Sequence, residues 1–235
     1  MDNQIERIKT KIEQLKTLDS KLTVFGSQRH NYQLNPTVSP DQVRRFELTN
    51  GVTLPKEYAD FITNIGNGGA GPYYGLEPLE NTLFDDLDYK HPDSLLDPGK
   101  PFIHTEPWNL EFQPTTDENE EEFQKQLTAF DERYYDKELM NGVIAICNFG
   151  CAVSLNLVVN GEEYGYIWTD DRGSDAGIYP SQELGNTDRI TFLNWYELWL
   201  DNSLSEIKKE QPVLAILPET EQMKKQDKKS WWKIF

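Results

Sequence analysis

Asp170, Asp171 and Asp175 sit close enough together to offer oxygen ligands to a divalent cation. Their spacing departs from that of a calcium loop, whose acids fall on alternate positions. A loop in which Asp170 and Asp175 accept backbone hydrogen bonds and Arg172 pairs locally accounts for the same residues. Exposed acids there would also suit a partner surface. Gly66, Gly68, Gly69 and Gly71 suggest a phosphate cradle, but they follow a helical pattern instead of preceding one, and no Lys, Ser or Thr accompanies them. They fit better as a tight passage out of a helix that lets Pro72, Tyr73 and Tyr74 pack closely. His30, His91 and His104 fall on separate, poorly ordered-looking segments, and no paired-cysteine or His-x-x-x-His spacing marks a zinc site. Cys147 and Cys151 have no histidine near them in sequence, the segment between them reads as a turn, and no Gly-x-Ser-x-Gly is present. The expectation is a chain with no catalytic residues, no metal and no cofactor.

Charge is the more informative signal. The sequence carries 40 acidic against 23 basic residues, a formal net charge of −17. Such a surface repels phosphate backbones and anionic lipid, which argues against nucleic acid as a partner, and it speeds the encounter with basic proteins. The charge is concentrated: the segment 77–124 holds 14 acids against Lys90 and Lys100, together with six prolines that forbid long regular elements. Glu120, Glu121 and Glu122 close this segment and favour the start of a helix running toward Met140. From Gln222 to Phe235 the sign reverses, with five lysines and the run Trp231-Trp232-Lys233-Ile234-Phe235. That tail has the composition to touch an anionic membrane, to fold back on the body, or to pair with the acidic segment. Two cysteines make a poor disulfide framework, and no signal sequence or membrane-length apolar run is visible, so the expected location is cytoplasmic.

The elements that position these residues follow from periodicity. Ile5, Ile8, Ile12, Leu15 and Leu18 mark one helical face, while 23–38 reads as loop or irregular strand. Ser39, Pro40 and Gln42 form a capping-box start for a helix that buries Val43 and Phe46 and ends at Asn50-Gly51. Pro55 opens a third helix burying Tyr58, Phe61, Ile62 and Ile65, with Gly66 as its left-handed terminator. Val143–Cys147 reads as a short strand. Cys151–Val159 alternates and meets Asn160-Gly161, a favoured two-residue turn, which places Leu157 opposite Tyr164, Leu155 opposite Tyr166 and Val153 opposite Trp168. From Thr191 a helix buries Phe192, Trp195, Tyr196, Trp199 and Leu200.

The run from Leu54-Pro55 through Tyr58 and Phe61, followed by Gly66-Asn67-Gly68-Gly69-Ala70-Gly71-Pro72-Tyr73-Tyr74-Gly75-Leu76, resembles the SUKH superfamily in its Smi/Knr branch. So do Gly165–Asp171, which contains Trp168, Asp175–Ile178, and the segment Thr191–Leu200 around Trp195. The resemblance covers about 38–80 and 142–204. It implies an α+β fold with helices on one face of a largely antiparallel sheet. It also implies a role as a bacterial immunity protein that binds and neutralises secreted toxins, many of them nucleases; fungal relatives are linked to cell-wall glucan synthesis. The long acidic segment and the C-terminal tail depart from the pattern. The division expected is an N-terminal helix at 1–22, a SUKH-like α+β domain at 23–210 with the acidic segment 77–124 inside it, and a basic, aromatic tail at 211–235. The surface expected to meet a basic protein toxin comprises Tyr73, Tyr74, Asp85, Asp86, Asp88, Glu120, Glu121, Glu122, Asp170, Asp171 and Asp175.

Overall fold

The computed structural model describes residues 2–115 and 119–216. Asp117, Glu118 and the lysine- and tryptophan-bearing tail at 222–235 therefore lie outside the described residues. Among the described residues, six α-helices flank one four-stranded antiparallel sheet: α1 Asp2–Leu18, α2 Ser27–His30, α3 Pro40–Asn50, α4 Lys56–Asn64, α5 Glu120–Tyr134 and α6 Phe192–Ile216, with β1 Val143–Gly150, β2 Val153–Val158, β3 Ile167–Asp171 and β4 Gly177–Pro180 in that order across the sheet. The α+β class and the helices preceding the sheet agree with the sequence reading.

Local chemistry sets the helix ends. Ser39 accepts from the Gln42 backbone while the Gln42 side chain accepts from the Ser39 backbone, and Gly51 at φ 67° closes α3. Gly66 is not the left-handed terminator of α4. The positive φ values fall at Gly68 (80°) and Gly69 (97°), because the chain first continues through a right-handed Ile65. Leu18, at 40% exposed, also falls off the face that buries Ile5, Ile8, Ile12 and Leu15, since α1 frays into a turn there. Residues 23–38 contain the short α2, which a pattern search misses because four residues hold no period. His30 on α2 is buried, edge-on to Trp199 at 6.0 Å, and burial pushes its pKa down to about 4. It and His104 are core residues and not residues of poorly ordered segments.

The sheet is buried on both faces, and this overturns the hairpin register. Ile144, Ile146, Leu155, Leu157 and Ile167 join the helices in one core. Val143, Ala145, Val158, Trp168 and Ile178 form a second core with Leu87, Leu96 and Phe102. The Pro-rich acidic segment is thus the cover of the second face, to which it turns Leu87, Leu96 and Phe102. Strand β2 pairs with β3 as Leu157↔Ile167, Leu155↔Thr169 and Asn156↔Trp168, three residues on from the expected pairing, so that Trp168 faces the second core. Asn160-Gly161 does not make the turn. Its backbone is taken by the cover: Phe102 N–H donates to the Asn160 carbonyl at 2.9 Å, and a Cβ on Gly161 (φ 120°) would sit 2.7 Å from the Phe102 carbonyl oxygen. Where both faces are apolar, alternation no longer chooses the register.

Helices α1 and α6 run side by side in the same direction, clamped by Glu197, which accepts from Arg7 at 2.8 Å and from Lys11 at 2.9 Å. The hydrogen bond from Arg7, helped by Lys11, outweighs burial and lowers the Glu197 pKa from about 4.5 to about 2. A carboxylate held below its unfolded value contributes stability above about pH 4.5 and loses it as the pH falls toward 2. Glu197→Gln is therefore expected to cost about 2 kcal/mol at pH 7, with the difference from wild type closing below pH 3, as urea denaturation at several pH values would read.

Candidate functional site

Several of the residues singled out from the sequence gather near the tip of the β1–β2 hairpin. Strand β1 extends through Asn148 and Phe149 to Gly150, which were read as turn. The turn itself is Cys151-Ala152, both residues left-handed at φ 55° and 60°, the primed geometry that suits a two-residue hairpin. Cysteine and alanine give no sequence signal for such a turn, which is why composition pointed elsewhere.

On the second face, where the cover ends, a cleft of about 180 Å³ opens between the two layers. Asp85, Asp86 and Asp88 line it from the cover, Tyr135 from the end of α5, and Asn148, Ser154, Asp170 and Arg172 from the sheet and the loop after β3. Four of the acids singled out from the sequence are brought together here. Asp86 accepts from the backbone N–H groups of Asp88 (2.8 Å) and Tyr89 (3.1 Å), which holds the loop shut. Asp88 accepts from Asn148 Nδ2 at 2.6 Å, joining cover to sheet. Arg172, 5% exposed, makes a two-pronged pair with Asp170 at 2.8 and 2.6 Å and donates to the Tyr134 and Asp136 carbonyls at 3.1 and 3.0 Å. Burial raises the Asp85 pKa, an effect that Arg172 opposes and Asp170 adds to.

An aromatic patch adjoins the same end of β1, where the Tyr74 N–H donates at 3.4 Å to the carbonyl of Asn148, a residue of the cleft wall. A Cβ on Gly150 would come within 2.8 Å of the Tyr74 ring, so glycine is what lets Tyr74 lie against the strand. Tyr74 is 37% exposed and Phe25 49%, with ring centres 5.6 Å apart, and the Arg29 guanidinium stands 5.1 Å over Tyr74. Tyr73 turns inward onto Phe149 at 4.2 Å, and its hydroxyl is buried with no hydrogen-bond partner. The loop leading into Phe25 is held by Asp19, a buried carboxylate that accepts from Thr23 N and Oγ1, Val24 N and the Tyr32 hydroxyl.

The remaining sequence candidates lie elsewhere. Glu120, Glu121 and Glu122 are exposed in the first turn of α5, capped by Asn119, and do not line the cleft. Asp171 accepts from the Tyr179 hydroxyl at 3.1 Å. Asp175 is exposed in a left-handed turn, and its carbonyl accepts from Asn109 at 2.9 Å. Leu54, Pro55, Tyr58, Phe61, Gly66, Gly68, Gly71, Pro72, Trp168 and Trp195 are buried, and Gly69 nearly so. Phe25, Tyr135 and Asn148 carry no such signal in the sequence: Phe25 lies in a segment without period, and Tyr135 and Asn148 stand at the ends of α5 and β1, where only the fold sets them beside the acids.

Among the described residues no group of three or more His, Cys, Asp or Glu could hold a metal ion, and no helix is long and apolar enough to cross a membrane. The cleft is also smaller than the ~300 Å³ at which small-molecule sites begin. The model of the SMI1 / KNR4 family (SUKH-1) matches residues 37–183, more than half of the sequence. The chain belongs to that family. The match takes in α3, α4, the acidic cover, the whole sheet and the cleft, and leaves α1 and α6 outside it. No curated protein and no solved structure matches the chain significantly. SMI1 / KNR4 membership is consistent with either an immunity or a cell-wall role, in a family that is generally non-catalytic.

Proposed function

We propose that this SUKH-1 chain is an immunity protein that binds and neutralises a basic bacterial toxin, using the hairpin tip and not a catalytic centre. The observation that carries the reading is that a cleft lined by Asp85, Asp86, Asp88 and Asp170 and the exposed Phe25–Tyr74 pair meet at Asn148, which lines the cleft and whose carbonyl accepts from the Tyr74 N–H at 3.4 Å. Acids steer a basic partner, and a flat aromatic pair gives the desolvated contact that holds it. If the toxin is a nuclease, the same carboxylates occupy the places of substrate phosphates and block its site with no bond made or broken. Most acids of the cleft already have hydrogen-bond partners, which suits a preformed surface.

Co-expression with basic toxin domains taken from the reading frames next to this gene is expected to yield, for one of them, a stoichiometric complex and cell survival. Neither complex nor survival, or recovery of envelope synthases in its place, would overturn the proposal. Within the complex, Tyr74→Ala is expected to weaken binding by about 2 kcal/mol, or roughly 30-fold in Kd by calorimetry, while leaving the free protein folded.

A further inference from the structure

We infer that the chain's own basic, aromatic segment Gln222–Phe235 docks on the hairpin-tip surface, occupying in the free protein the place its partner would take. The inference rests on the reading of that face as a binding surface. The side-by-side course of α1 and α6 supplies the geometry. Gln4 meets Asn194, Arg7 meets Glu197 and Lys11 meets Asp201, and Lys208 shares a groove with Leu18. The carboxyl end of α6 therefore leaves the body at the end where α1 gives way to the loop carrying Phe25. Residues 217–235, fully extended, reach about 60 Å, more than the ~45 Å diameter of a compact body of this size.

Complementarity supplies the rest. Lys224, Lys225, Lys228, Lys229 and Lys233 are opposed in the segment by Asp227 alone, and they are followed by or interleaved with Trp231, Trp232, Ile234 and Phe235. The surface offers the matching order: Asp85, Asp86 and Asp88 at the cleft, then Asn148 on its wall, whose carbonyl accepts from the half-exposed Tyr74, and Phe25 against Tyr74. Arg29 over Tyr74 makes the patch itself unwelcoming to lysine, so the aromatics belong on the patch and the lysines on the cleft. A tethered segment acts at an effective concentration near millimolar, enough for weak contacts to hold. A basic toxin with tighter contacts would displace it, whereas weakly binding basic proteins would be turned away.

Zero-length carbodiimide coupling of the full-length chain, read by mass spectrometry at 20 mM salt, tests this without any toxin. The expected products join tail lysines to Asp86 or Asp88 within one chain. Their yield should fall at least about fivefold at 1 M salt, where screening confines charges to ~3 Å, and as far again in Asp88→Lys. A 1:1 mixture of ¹⁴N and ¹⁵N chains distinguishes the source. Mixed-isotope links would show a second copy as the occupant and overturn the inference, as would links confined to acids of α1 or α3, or none from the tail. Such a failure would leave the toxin reading standing. Conversely, failure to bind a toxin would not remove the intrachain links.

Discussion

Arg172→Met is expected to cost about 3–5 kcal/mol and to lower the melting temperature by roughly 10 °C. The guanidinium holds the Asp170 carboxylate in two-pronged contact and closes the carbonyls of Tyr134 and Asp136 at the end of α5. Without it a nearly buried carboxylate and two backbone acceptors lose their partner together, which is the situation that makes broken buried pairs costly. The double variant Asp170→Asn/Arg172→Met is expected to recover at least a third of the loss, because the orphaned charge is gone. Thermal unfolding of the three proteins followed by near-ultraviolet dichroism would decide it. Equal losses in single and double variants would show that Arg172 serves packing alone. Because the same residue ties the end of α5 to β3 beside the cleft, the single variant is also expected to loosen partner binding more than its fold.

Asp88→Lys is expected to slow association with a basic toxin about 10- to 100-fold at low salt and to speed dissociation as well. Glu121→Lys is expected to slow association only. The distinction follows from position. Asp88 lines the cleft and bonds to Asn148, so a partner group there would meet it directly. Glu121 is exposed at the start of α5 and does not line the cleft, where it acts on an approaching charge through the field alone. Stopped-flow binding at 20, 100 and 300 mM salt separates the two. Identical effects of both reversals on dissociation would mean that the cleft is not part of the contact.

The helices were legible because their signals are local. The capping box at Ser39, the Gly51 terminator and the Phe192–Leu200 stripe each depend on residues within two turns of one another. The strand pairing was not, because a two-residue turn motif is only a local preference. Asn160-Gly161 yielded to Phe102, nearly sixty residues earlier, whose backbone needed those partners. The acidic segment looked like an insertion hung on a one-faced sheet. Its inward Leu87, Leu96 and Phe102 are spaced by prolines and not by any period, so their role as the second core left no pattern to read. The acids of the site were named from charge alone, but charge could not tell Asp88 from Glu121. Nor could it show that Asp170 is committed to Arg172, that Tyr74 faces solvent while Tyr73 does not, or that Phe25 belongs beside them.

Hydrogen exchange of the chain, alone and bound to the toxin domain, tests the central claim most directly. The account predicts new protection confined to the loop at Phe25, to Tyr73–Gly75, to Asp85–Tyr89 and to Asn148–Val153, with α3 and the outer side of α1 unchanged. Protection centred on α1 and α3, with the hairpin tip exchanging as in the free protein, would contradict it.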